Sequence, residues 1–232
     1  MINWFEGTIW YFVFLFSTIF HEASHAFVSH KLGDQTAYEE GQVTLDPRPH
    51  IRREPFGMVV VPIFSYIMGG WMIGWASAPY DILWAINYPR RAALMSLAGP
   101  LSNLVLAVGA GLMIRILVTA GIFYAPDYIN FSHIVFAYQE GFFSNLAFLL
   151  SVIFSLNILL FVFNLLPFPP LDGSGVIPLF LSDQHISQYQ EFVHQPASAF
   201  LGLFLAWNLI DFIFDPIHSF GVNSVYFGMV HY

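Results

Sequence analysis

The chain contains no cysteine. Disulfides, thiolate nucleophiles and cysteine metal sites are therefore excluded. It is also poor in charge. Charged residues make up 9% of the 232, against about 25% in an ordinary soluble domain. So little charge cannot cover a water-facing surface, and most of this surface is expected to face lipid; a soluble protein with an oversized core is set aside because several apolar runs approach the length of a membrane span. Only seven residues are Lys or Arg, which leaves nucleic-acid binding without an electrostatic basis. The net charge of −8 rests on few groups and says little about partners. The first residues, MINWFEGTIWYFVF, lack the basic region and small-residue cleavage site of a signal peptide, and are read as the start of a first span.

What the chain does have is apolar length. Hydrophobic residues are 57% of the total, and several runs approach the ~20 residues that a membrane span needs. The expected fold is an all-α polytopic membrane protein, one domain over 1–232 in a lipid bilayer of the cell membrane. About four transmembrane helices are expected, over Thr8–Lys31, Ala92–Ala120, Phe142–Leu166 and Ala197–Phe214. A fifth apolar segment, residues 56–81, is rich in Gly and Pro. Lys31, Arg48, Arg52 and Arg53 precede it, and Arg90 and Arg91 follow it. A single crossing would put these basic groups on opposite sides, whereas entry and return keeps all six on one side, as positive-inside bias favours. The segment is therefore read as re-entrant: a short helix, then extended chain over Gly70–Pro79. Non-helical backbone at that depth has to be covered by protein or line a cavity. The orientation follows, with the N-terminus outside, loops 32–55 and 182–196 cytoplasmic, and loop 121–140 and the C-terminus outside. Arg115 is the exception and is expected to snorkel to the outer headgroups.

The chemistry is expected in STIFHEASHAFVSHKLG, residues 17–33. A charged side chain at bilayer depth costs about 2.5–3.5 kcal/mol on insertion scales, so one placed there needs a partner or a function. His21 and His25 are four apart and share a helix face on which they can grip one ion. Glu22 is beside a ligand and close enough to take a proton from water polarised by that ion. The bland alternative is a structural hydrogen-bonded pair. A zinc site of this kind needs a third protein ligand and an open position. Asp172, in FNLLPFPPLDGSGVIPLF (163–180), is the candidate. Alone, LDG marks a turn and LPFPP a helix breaker. Here prolines 167, 169 and 170 free the backbone at the end of a span, on the side where His21 and His25 finish their helix. The remaining histidines, His30, His50, His133, His185, His194, His218 and His231, fall near expected span ends or in loops and read as interfacial polar residues.

Taken together, these motifs resemble the site-2 protease family of intramembrane zinc metalloproteases. HEASH is similar to its HExxH, LAGPLSN (97–103) to its Gly-x-x-x-Asn segment, and FNLLPFPPLDG to its asparagine–proline–LDG signature, all in the family's order. The resemblance covers about residues 8–181, with an extra C-terminal span at 197–214. It is to a compact form without a PDZ or nucleotide-sensing domain. GQVTLDPRPH and GWASAP are similar to a short-form bacterial and archaeal subgroup. The resemblance implies one zinc ion on His21, His25 and Asp172, with Glu22 as general base. It also implies that Asn103 and Asn164 contact substrate backbone or the developing oxyanion. The implied partner is a transmembrane or membrane-associated protein substrate, cut toward the cytoplasmic side. Ser174 stands where many members carry a second glycine. AGPLSN also reads as a small-residue helix-packing face, and Asn164 as a group satisfying backbone freed by the prolines. A catalytically inactive membrane-segment-binding relative and a metal transporter are the rival functions. Oligomeric state is not legible in these residues.

Overall fold

The computed structural model describes residues 2–229. Helix α1 runs over Trp4–Leu32, capped by the Asn3 side chain, which accepts from the N–H groups of Phe5 and Glu6. Two short helices follow, α2 (Thr36–Glu39) and α3 (Pro47–Arg53). A π-helical turn over Phe56–Val60 leads into α4 (Val61–Gly69). After α5 (Ile82–Asn87) come two long helices, α6 (Pro89–Thr119) and α7 (Phe142–Asn164). The chain ends in α8 (Asp172–Val176), α9 (Asp183–Val193) and α10 (Pro196–Val225).

Three of these helices, α6, α7 and α10, are long and apolar enough to cross a membrane. The fourth expected span, α1, is 29 residues long, about 43 Å at 1.5 Å per residue. Its apolar run is interrupted by the polar HEASH turn. The expectation of an all-α fold needs one correction. In the 121–140 loop, β1 (Phe123–Tyr124) and β2 (Phe136–Ala137) pair antiparallel. Phe123, Ile134 and Val135 are buried there against α6, α7 and α10. The Tyr226 hydroxyl donates to the Ile134 carbonyl at 2.6 Å.

The 54–81 stretch doubles back, as the charge distribution suggests. At its apex the Tyr66 hydroxyl donates to the Asn3 carbonyl beside the start of α1. Gly70, at φ +75°, ends α4 in a conformation that glycine adopts without strain. The chain then returns in extended form. The Trp75 N–H donates to the Gly57 carbonyl at 3.2 Å, and the Ser77 hydroxyl donates to Glu54 at 2.7 Å. Arg53 closes the base through Ser77 and Glu40. Trp10, Val13 and Phe14 of α1 pack with Tyr66, Met72 and residues of α7, so this excursion rests on the first half of α1.

Two further placements differ from expectation. Arg115 does not reach past the fold: its guanidinium donates to the carbonyls of Val225 and Phe227 and so satisfies the end of α10. His50 is fully buried rather than interfacial, with Nε2 donating to the Thr44 carbonyl at 3.0 Å. His231 lies outside the described residues.

Candidate metal centre

The site forms where α1, α6 and the start of α8 meet. His21 and His25 sit one helical turn apart on α1, about 16 and 10 Å from its C-terminal end. Pro100 lies inside α6 opposite them and has no N–H, so the backbone ladder of that helix is interrupted beside the site. Gly99 precedes it. A Cβ there would run into the Nε2 atoms of both His21 and His25, so only a residue without a side chain allows this approach. The prolines after α7 turn the chain back. Gly173 then lies tight against the carbonyls of Leu165 and Leu166, which places Asp172 at the first turn of α8.

Three atoms converge. Asp172 Oδ2 lies 3.0 Å from His21 Nε2 and 3.2 Å from His25 Nε2, and the two Nε2 atoms are 3.0 Å apart. The other ring nitrogens are occupied. His25 Nδ1 donates to the Met95 carbonyl at 2.7 Å, and His21 Nδ1 donates to Asn103 Oδ1 at 2.6 Å. With Nδ1 of each ring engaged, both Nε2 atoms are left facing the Asp172 carboxylate. Three such atoms this close call for positive charge among them, a shared proton or a metal ion. Tetrahedral zinc with bonds of about 2.0–2.1 Å has ligand atoms about 3.3 Å apart. The observed spacings fall slightly inside that figure, so the set fits a small divalent ion.

Glu22 points into a cleft of about 390 Å³ that opens beside His25 and Asp172. Its carboxylate has no hydrogen-bond partner among the described residues, and it is buried. One wall of the cleft is the extended segment Ala76–Ala78, whose backbone groups make no hydrogen bond within the described residues. Across the mouth lies α9. Its Tyr189 hydroxyl donates to the Ser174 carbonyl at 2.7 Å, and Gln190 Nε2 donates to the Ala85 carbonyl at 3.3 Å.

The two asparagines are placed differently from a pair of substrate contacts. Asn103 is fully buried behind His21 and has both ends occupied, its Nδ2 donating to Asn157 Oδ1 at 2.8 Å. Asn164 does not line the cleft; its Nδ2 donates to the Leu160 carbonyl one turn back. Asn157 and Ser17 bond Asn103 behind His21, the Met95 carbonyl meets His25, and sequence reasoning singled out none of the three. His194 lines the cleft, while His218 on α10 pairs with the Ser155 hydroxyl of α7 at 2.9 Å.

The sequence model of peptidase family M50 matches residues 9–207. The chain belongs to that family. The match runs beyond the motif-bearing stretch and into α10, so this M50 member shares more with its family than the three motifs. It is 36% identical over 158 residues to "Putative zinc metalloprotease YwhC" of Bacillus subtilis, covering 68% of this chain and 62% of that protein. It is 30% identical over 219 residues to "Putative zinc metalloprotease Rip2" of Mycobacterium tuberculosis, covering 94% of this chain and 70% of that protein. Over 163 residues it is 32% identical to the Rip2 of Mycolicibacterium smegmatis, covering 70% of this chain and 53% of that protein. No solved structure matches the chain.

Proposed function

We propose that this M50 member is a zinc-dependent intramembrane endopeptidase that hydrolyses peptide bonds within or near transmembrane segments. The observation that carries the reading is the meeting of Asp172 with His21 and His25, across about 150 residues of chain, beside the Glu22 carboxylate, which makes no hydrogen bond among the described residues. One zinc ion would be held by the two Nε2 atoms and the Asp172 carboxylate. When bound it supplies Lewis acidity, polarising a scissile carbonyl and acidifying water at near-neutral pH.

The chain's own groups do the rest. Glu22, free of hydrogen bonds, takes a proton from the attacking water and returns it to the leaving amine. Asn103 orients His21 rather than meeting the oxyanion, since both ends of its amide are engaged. A substrate helix has to unwind before its peptide bonds are accessible, and it then needs partners for the N–H and C=O groups it exposes. The unpaired backbone of Ala76–Ala78 offers them along one wall of the cleft, by strand addition. In the orientation that the basic residues favour, α1 crosses as a fourth span, the 54–81 excursion enters and leaves from the cytoplasmic side, and the site lies toward that face of the cell membrane.

The test uses purified full-length protein and a model transmembrane peptide in proteoliposomes. Wild type is expected to carry zinc and cleave. Glu22→Gln is expected to keep the zinc and lose cleavage by about 10²-fold or more. Wild-type protein without zinc refutes the reading, as does wild-type cleavage by Glu22→Gln. Zinc flux into vesicles that survives Glu22→Gln would favour a transporter.

A further inference from the structure

Behind His21 runs a chain of buried amides whose hydrogen bonds have a fixed direction. A carboxamide turned end for end changes little in shape, and only its partners decide which end points where. Asn157 Nδ2 donates to the Ile153 carbonyl at 2.8 Å and to the Ser17 hydroxyl at 2.9 Å. A backbone carbonyl cannot donate, so Ile153 fixes which way the Asn157 amide faces. Asn157 Oδ1 then accepts from Asn103 Nδ2 at 2.8 Å, which turns Asn103 Oδ1 toward His21. That oxygen accepts from His21 Nδ1 at 2.6 Å.

We propose that Asn157 is a positioning residue that acts through Asn103 to hold His21 in the tautomer whose Nε2 lone pair faces the metal site. The inference rests on the metal reading above. If the Asn103 amide turned over, its NH₂ would face Nδ1, the ring proton would move to Nε2, and the ligand lone pair would be lost. Without Asn157, Asn103 Nδ2 keeps only the Ser17 carbonyl at 3.4 Å, beyond the usual hydrogen-bond range. Ser17, Asn103 and Asn157 are all fully buried, so water has no access to replace the missing partner. His25 needs no such relay, because its Nδ1 meets the Met95 carbonyl directly. The two histidines thus reach the same tautomer by different routes, and only His21 depends on side chains that a substitution can remove.

The experiment reads the tautomer and the metal separately. The ring ¹⁵N shifts of His21 are recorded by NMR on metal-free protein at alkaline pH, and zinc affinity is taken from chelator competition. Wild type is expected to carry the His21 proton on Nδ1. Asn157→Leu is expected to shift His21 toward the Nε2–H form and to weaken zinc about tenfold or more, the usual scale for groups that support a metal-bound imidazole. Asn157→Asp keeps an acceptor facing Asn103 and is expected to retain the wild-type tautomer. Ser17→Ala leaves the Ile153 contact intact, and it too should leave the tautomer unchanged while lowering stability. A wild-type His21 protonated on Nε2 overturns the proposal without any variant having to fold. So does Asn157→Leu with wild-type tautomer and zinc affinity. Protein that binds no zinc but keeps the predicted tautomers would refute the metal reading and leave the relay standing.

Discussion

Gly99→Ala tests the site geometry with one methyl group. The added Cβ would lie closer to His21 Nε2 and His25 Nε2 than real Cβ atoms come to any heavy atom. Neither imidazole can swing away freely, because Asn103 and the Met95 carbonyl hold their Nδ1 atoms. Relief therefore requires α6 or both rings to move by about 1 Å, while metal–ligand distances tolerate only about ±0.2 Å. Overpacking of this kind costs roughly 1–3 kcal/mol of stability. The larger consequence falls on the ion, with zinc affinity expected to drop about 100-fold and cleavage with it. Gly109→Ala is the matched control on the same helix, since a Cβ there meets nothing within 4 Å. In a helix that change is neutral or stabilising by up to about 1 kcal/mol. Zinc stoichiometry, chelator competition and thermal midpoint are measured on both variants. Folded Gly99→Ala with wild-type zinc affinity would refute the claim that α6 packs against the two Nε2 atoms.

The remaining predictions concern the cleft wall and the third ligand. Proline at Ala76 or Ala78 removes a backbone N–H that nothing in the described fold uses, so at whichever position serves the substrate, cleavage should fall while zinc stays bound; normal cleavage by both variants removes the strand-addition step. Asp172→Asn keeps the shape and removes the charge that meets the two imidazoles. Zinc affinity should fall at least tenfold, and wild-type affinity in a folded variant would take Asp172 out of the ligand set.

The histidine pair of the candidate metal centre was legible because helical periodicity is short-ranged. Four residues make one turn, so His21 and His25 announce a shared face within five letters. The doubling back of the 54–81 stretch was legible through charge, since only a return of the chain keeps the flanking basic residues together. Asn157 was not legible. It is one polar letter in an apolar span, and its partners Asn103 and Ser17 lie 54 and 140 residues away in the chain. The motif instead drew attention to Asn164, on the same helix but seven residues on, about 10 Å along the axis. There Asn164 turns back on its own helix. Arg115 misled for a related reason. A lone cation near a span end can meet headgroups or the carbonyls of a neighbouring helix, and only the docking of α10 decides between them.

The distribution of unmet hydrogen-bonding capacity ties these observations together. Polar groups inside a bilayer-sized bundle are costly unless paired. Deep in α1, α6 and α7 the pairing is thorough: Ser17, Thr18, Asn103, Ser151, Ser155 and Asn157 all have partners. Among the described residues, the buried side-chain atoms without one, His30 Nδ1, Gln42 Oε1, His50 Nδ1 and Trp84 Nε1, lie within 30–84, toward the end of α1 where α2, α3 and α5 gather. What stays open at the level of the helices is concentrated at the cleft: three lone pairs facing one point, the Glu22 carboxylate, and the backbone of Ala76–Ala78. These features are complementary in kind: the first suits a cation and the third an extended peptide. Their adjacency at one cleft, in a fold that pairs its other deep polar groups, is what favours the protease reading proposed above.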